Sequence, residues 1–361
     1  MMDLKPFVPE RIEALSAYET EDRGRYEILL DANELPYETP ASVRAAVADE
    51  IAKVALHRYP DCRMEELRNK VTEDLVIAPD QILFGNGSDD LLQMIALAFS
   101  RPREGRDRAR FFHFEPSFSM YRILANIAGA ESVGVPLGED CDIDLGAFEA
   151  AATEGAPNVI FVGFPNNPTG RLFDRGVIES LLETSGAIVV VDEAYHDYCD
   201  ETFIGELDRF DNLIVLRTFS KVGAAAIRLG VAAAQPDLLD EMNKIRLPFN
   251  VNTLTQRVAM TIIDHRGEFD QSIARVVNDR GRVERALGAI GGLQVVPSAA
   301  NFVFFRAPGR ARALFEGLKE RGILIRCLAG EGLLADALRV TIGTEAENAA
   351  FLKATQEILA G

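Results

Sequence analysis

Ala187-Ile188-Val189-Val190-Val191-Asp192-Glu193-Ala194-Tyr195 is an almost unbroken apolar run that stops on a carboxylate. Leu213-Ile214-Val215-Leu216-Arg217-Thr218-Phe219-Ser220-Lys221 repeats the pattern and stops on hydroxyls and a lysine. Short apolar runs of this kind read as strands buried on both faces. Further runs occur at 82–84, 110–114, 159–164 and 229–234. Helix-period stripes lie among them: Leu91, Leu92, Ile95 and Phe99 form one, and Val177, Ile178, Leu181 and Leu182 another. Strands alternating with helices predict right-handed βαβ crossovers and an α/β fold, with a large domain of mostly parallel sheet flanked by helices.

The pattern changes on either side of this block. Residues 1–35, punctuated by Pro6 and Pro9, read as an N-terminal arm, 36–245 as the large domain, and 246–361 as a smaller α+β domain. In the last, a long helical stretch is expected at 254–288 and strands at 301–306 and 323–327 flanking a helix at 310–320. A strand at 338–342 and a helix at 346–359 complete it. A chain of 361 residues agrees with two packed domains.

Composition removes whole classes of function. The 38 basic residues against 56 acidic ones leave a formal net charge of −18, which argues against a nucleic-acid-binding surface. No apolar stretch is long enough for a membrane span or a signal peptide. The four cysteines (Cys62, Cys141, Cys199, Cys327) lack CxxC spacing, and the four histidines are dispersed, so no metal site is expected. A reduced cytoplasmic enzyme fits best.

In an open α/β sheet, ligands bind at the carboxyl ends of the strands, and the unusual polar residues fall there. Lys221, behind a strand and flanked by small hydroxyls, can serve as a nucleophilic amine if desolvation lowers its pKa; its bland alternative is a surface lysine. Asp192 would need a cationic partner if buried, or would merely cap a helix. Pro165-Asn166-Asn167-Pro168-Thr169-Gly170 makes a stiff turn that presents amides, although such turns are common in loops. Gly85-Asn86-Gly87-Ser88-Asp89 opens a helix whose N-terminus suits a phosphate, or is only a capped glycine turn.

Taken in order, with Ile227-Arg228-Leu229-Gly230 closing the set, these segments resemble the fold-type I, pyridoxal-phosphate-dependent aminotransferases over the whole chain. The resemblance implies pyridoxal 5′-phosphate as cofactor and a set of roles. Lys221 would carry the cofactor and then move the proton during transfer. Asp192 would keep the pyridine nitrogen protonated, and Tyr195 and Asn167 would bond its phenolic oxygen. Ser88, Asp89, Thr218, Ser220 and Arg228 would hold its phosphate. Phe118 would stack on the ring, in a place where the family often has tyrosine.

Within that group the chain looks most like the histidinol-phosphate aminotransferases. Tyr59, in Arg58-Tyr59-Pro60, matches a segment that reaches the neighbouring subunit's cofactor in relatives, implying a homodimer. Tyr18 matches a lid tyrosine of the arm, and Asn33 a hallmark asparagine. Arg326 and Arg339 match a pair that grips the substrate phosphate and the carboxylate of glutamate or 2-oxoglutarate. The implied reaction exchanges L-histidinol phosphate and 2-oxoglutarate for imidazole-acetol phosphate and glutamate, a step of histidine biosynthesis. Ala224-Ala225-Ala226-Ile227 and Phe302 depart from the usual pattern. An aromatic-amino-acid aminotransferase and a threonine-phosphate decarboxylase remain open on the same fold. A non-catalytic regulator would call for a broken site, whereas Lys221 and Asp192 are both in place.

Overall fold

The apolar runs that end at Asp192 and Thr218 lie side by side in the middle of a seven-stranded sheet. The computed structural model describes residues 2, 5–17, 21–328 and 330–360. Across the sheet the strands run Ile82–Gly85, Gly230–Ala234, Leu213–Thr218, Ile188–Asp192, Val159–Gly163, Arg110–Glu115 and Glu131–Pro136. Only Gly230–Ala234 is antiparallel to its neighbours; the other pairings are parallel. The chain therefore has the expected α/β fold with a mostly parallel sheet between helices.

Burial on both faces explains the unbroken apolar runs. Val189, Val190, Val191, Leu213, Ile214, Val215 and Leu216 are all fully inaccessible, and each such side chain contributes roughly 1.5–3 kcal/mol of burial free energy. One face packs under Ile178, Leu181 and Phe203, the other under Leu91, Leu92, Ile95, Tyr121 and Leu124. The edge strand Glu131–Pro136 lacks this signal in the sequence. It has a single neighbour and a mixed exposed and half-buried pattern, so little of it had to be apolar.

The second sheet has four antiparallel strands in the order Arg326–Leu328, Ala337–Thr341, Phe302–Arg306 and Gln294–Val296. Helices Arg266–Gly288, Ala311–Glu320 and Glu345–Ala360 cover it. Two expectations need correction. The stretch 254–288 is two helices, Thr253–Asp264 and Arg266–Gly288, broken at His265, whose ring bonds the carbonyl of Thr261. The expected strand at 323–327 is split at Ile325. Ile323–Leu324 pairs in parallel with Ile28–Leu29 of the arm, while Arg326–Leu328 pairs with Ala337–Thr341.

The core of the small sheet also takes in Leu30, Tyr195, Tyr198 and Val222. The seam between the two sheets is thus a packed contact, and the carboxyl ends of the parallel strands open onto it. Register fixes those ends in one line: Gly163 pairs with Asp192, Asp192 with Leu216, and Gly230 with both Thr218 and Gly85. At the last crossing the backbones nearly touch. A Cβ on Gly230 would stand 2.5 Å from the Gly87 carbonyl carbon and from the Ser88 nitrogen. Gly230→Ala is therefore expected to lose about 1–3 kcal/mol of stability, read as a lower urea midpoint than that of the wild type; an unchanged midpoint would mean that the loop yields freely.

Candidate active site

A cavity of about 610 Å³ lies at this edge, walled by the large sheet, the arm and the small sheet. Ser88, Asp89, Phe118, Asn167, Asp192, Tyr195, Thr218, Ser220, Lys221, Arg228, Asn33, Arg326 and Arg339 all line it. One described residue named from the sequence does not enter this set. Tyr59 is 82% exposed on the outer surface and stacks on Phe249 at 4.6 Å between ring centroids. Tyr18 lies outside the described residues.

Lys221 ends the 3₁₀ turn Phe219–Lys221 that follows the strand Leu213–Thr218. Its Nζ donates to the Ala32 carbonyl at 3.3 Å and stands 5.7 Å from the centroid of the Tyr195 ring. Among the described residues no carboxylate pairs with it. The crowding of protein around it, and then the nearby Arg339 charge, lower its pKa to about 8. On the order of a tenth of the amine is thereby unprotonated at pH 7, far more than for an ordinary lysine.

Asp192 is 6% exposed, and its partners are neutral. Tyr121 donates its hydroxyl to Oδ2 at 2.9 Å, and the Ala194 amide donates to Oδ1 at 3.1 Å. Burial without a cation raises its pKa to about 6 against the lowering effect of these bonds. It caps no helix, so the bland alternative for this residue falls away.

Between these two groups sits a closed set of amides. Tyr195 accepts from Asn33 Nδ2 at 2.9 Å and from Asn167 Nδ2 at 3.2 Å. Arg339 donates to Asn167 Oδ1 at 2.6 Å and to the Asp31 carbonyl at 2.8 Å. The Asn33 amide and side-chain oxygen in turn bond Thr341 Oγ1. Arm, large sheet and small sheet thus meet at the Tyr195 hydroxyl.

Below the strand ends the helix Ser88–Ala98 points its N-terminus into the cavity from Gly87, which holds φ +86°. Thr218 Oγ1 accepts the Ser220 amide at 3.1 Å, and Ser220 Oγ accepts from Arg228 at 3.2 Å. Arg228 also meets Asp89 at 3.1 Å. Backbone N–H groups, two hydroxyls and a guanidinium in one cup form a site for an oxyanion. On the opposite wall Arg326 and Arg339 are direct partners on adjacent strands. Like charges placed opposite each other destabilise a sheet, and an anion between them would relieve that.

Reading the sequence missed Tyr121, which holds Asp192, and Arg23 and Asp31 of the arm, which line the cavity. Tyr121 belongs to the helix Met120–Ala128, where it counts as one more apolar position. Its contact spans 71 residues and leaves no local signature. His113, buried beside Ser132 and Ser117, has its pKa lowered by burial to about 4 and stays neutral. No group of three or more candidate metal ligands occurs among the described residues, and no helix there is long and apolar enough to cross a membrane.

The comparisons agree with this geometry. The family model for aminotransferase class I and II matches residues 26–354. "Histidinol-phosphate aminotransferase 2" of Nitrosococcus oceani is 41% identical over 351 residues, covering 96% of both chains. Histidinol-phosphate aminotransferase of Chromobacterium violaceum is 41% identical over 357 residues, with 98% of each chain covered. Among solved structures, histidinol-phosphate aminotransferase from Sinorhizobium meliloti, in complex with pyridoxal-5′-phosphate, superposes with a TM-score of 0.88. It covers 98% of both chains at 24% identity.

The raised pKa of Asp192 has a consequence for the cofactor-free protein. Between the ordinary value of 3.8 and about 6 the folded chain holds this proton more tightly than the unfolded one. The contribution of Asp192 to stability therefore falls as pH rises through that window, and stays low above it. Asp192→Asn removes the charge, so the cofactor-free variant is expected to be more stable than wild type at pH 7, by on the order of 3 kcal/mol. Urea unfolding at pH 7 and pH 5 checks this: the gap should narrow at pH 5, and a variant less stable than wild type at pH 7 would refute it.

Proposed function

We propose, because this chain belongs to the class I and II aminotransferase family, that it moves the amino group of L-histidinol phosphate to 2-oxoglutarate, giving imidazole-acetol phosphate and glutamate in histidine biosynthesis. The cofactor is pyridoxal 5′-phosphate. The observation that carries this reading is a lysine amine near neutrality and a buried, unpaired carboxylate at the ends of neighbouring strands of one cavity. Support for the phosphorylated amine comes from the relatives' names and from the opposed Arg326 and Arg339.

The residues present fit the cofactor. The Gly87–Ser88 turn, drawn tight against Gly230, leaves helix amides free for its phosphate beside Thr218, Ser220 and Arg228. Asp192 has an unmet need for a cation, which the ring nitrogen answers. Asn167 and Tyr195, bonded to each other in the cavity wall, would bond the phenolic oxygen, and Phe118 would offer an aromatic face. When bound, pyridoxal phosphate supplies a reactive carbonyl and an electron-accepting ring. Lys221 is the amine that holds that carbonyl and carries the proton at Nζ. Asp192 keeps a positive charge on the ring, and Tyr121 fixes the carboxylate for it. Arg326 and Arg339 hold the anionic end of each substrate in turn, so one wall serves a phosphate and a carboxylate.

The active unit is a homodimer in a reducing cytoplasm. Leu56, Tyr59 and Leu247 are 79%, 82% and 73% exposed, and Tyr59 stacks on partly exposed Phe249. Exposed apolar side chains of this kind support a protein–protein contact, across which Tyr59 would reach the partner's cofactor. The four cysteines form no disulfide.

The test is product formation by the purified holoenzyme. Glutamate should appear when L-histidinol phosphate and 2-oxoglutarate are supplied, and Lys221→Ala should abolish it while remaining folded. Faster turnover of phenylalanine would move the substrate to the aromatic amino acids. Carbon dioxide from threonine phosphate, without consumption of 2-oxoglutarate, would point to a decarboxylase.

A further inference from the structure

We infer that Tyr198 is a positioning residue for Lys221: its hydroxyl fixes the main chain of the lysine relative to Asp192, so that amine and carboxylate meet the two ends of one cofactor. This inference rests on the reading of Lys221 and Asp192 given under the proposed function.

Tyr198 follows Asp192 and Tyr195 on one strand-end loop and closes the 3₁₀ turn His196–Tyr198. It is buried and shares a core with Tyr195 and Val222. Its hydroxyl donates to the Lys221 carbonyl at 2.5 Å. Burial raises the pKa of the phenol, so the donor keeps its proton near neutral pH. The Asn301 amide, which donates to the Asn33 carbonyl at 3.0 Å, supports the same hydroxyl.

The loop that carries Tyr198 is itself held from behind. Arg280 Nη1, on the helix Arg266–Gly288, donates to the Tyr198 carbonyl at 3.2 Å and to the Ala300 carbonyl at 2.8 Å. Arg266 of the same helix pairs with Asp197. The turn Phe219–Lys221, by contrast, has three residues, and so short a 3₁₀ turn is weakly fixed by its own hydrogen bonds. Lysine carries its amine on a flexible four-carbon stem, so the anchoring of its main chain decides what Nζ can reach. A ring that only filled the core would need no hydroxyl. The bond instead ties the loop after Asp192 to the lysine, and so sets the spacing of the two groups that must hold one ligand. A hydroxyl that merely satisfied a carbonyl would change stability and leave the chemistry of a loaded site alone.

The experiment compares Tyr198→Phe with wild type in two forms. Pyridoxal phosphate is added to the cofactor-free protein and the growth of the visible band is timed. With the holoenzyme, kcat per loaded site and KM are measured for L-histidinol phosphate and 2-oxoglutarate. Tyr198→Phe is expected to slow both capture and kcat roughly 10-fold, within the hundredfold that a misplacement of about 1 Å can cost, with KM near that of wild type. Arg280→Gln loosens the same loop from the other side and should slow both in the same direction; it carries the test if the phenylalanine variant does not fold. Ile178→Val thins the core outside the cavity, so it should lower the urea midpoint and leave capture and kcat unchanged. A Tyr198→Phe protein that captures the cofactor and turns over as wild type does would overturn the inference and leave the proposed function intact. A loss confined to KM, or an equal loss in Ile178→Val, would do the same. A wild type that never captures pyridoxal phosphate would overturn both.

Discussion

Lys221, half-buried, and Asp192, buried, stand at the ends of neighbouring parallel strands, and among the described residues neither pairs with a charge of the opposite sign. Buried unpaired ions cost several kcal/mol each, and a chain normally avoids them by pairing or by losing the charge. Here the charged form of each group is weakened, with the lysine pKa down at about 8 and the aspartate up at about 6. The two deficits are complementary. A ligand with an electrophilic carbon at one end and a protonated ring nitrogen at the other removes both at once. The fold carries the strain because seven strands of apolar packing lie behind it.

The rest of the cavity follows from that arrangement. On the proposed reading, helix Ser88–Ala98 and the Thr218, Ser220 and Arg228 cup would hold one end of such a ligand. The Tyr195 hydroxyl, shared by Asn33 and Asn167, would hold its middle. Arg339 then ties the small sheet to the same network through Asn167 and the arm through Asp31. Hydrogen bonds therefore join Arg339 of the small sheet to Asn167 and Tyr195 of the large one.

The sequence made much of this legible where function and local pattern coincide. Asp192 and Lys221 stand out because each ends an apolar run, and strand ends are where an α/β sheet binds ligands. Ser88 stands out because its glycine turn opens a helix N-terminus suited to a phosphate, and the structure adds that Gly87 is drawn tight against Gly230. What stayed hidden depends on contacts remote in the chain. Tyr121 reads as core until its hydroxyl is seen on Asp192. The strand Ile28–Leu29 has two residues and no pattern of its own; it exists because Ile323–Leu324 is there to pair with it. The edge strand Glu131–Pro136 needed few apolar residues, and the break at His265 is a local backbone turn within continuous helical periodicity.

Under the proposed function, Lys221 holds pyridoxal phosphate in this cavity and an amino group passes between two anionic substrates. The most direct measurement is the visible absorbance of the protein after loading with pyridoxal phosphate, before and after L-histidinol phosphate is added. The account predicts a band that the loaded protein alone displays, that L-histidinol phosphate removes, and that 2-oxoglutarate restores. A protein that develops no band with pyridoxal phosphate, although Lys221 and Asp192 are intact, would contradict it.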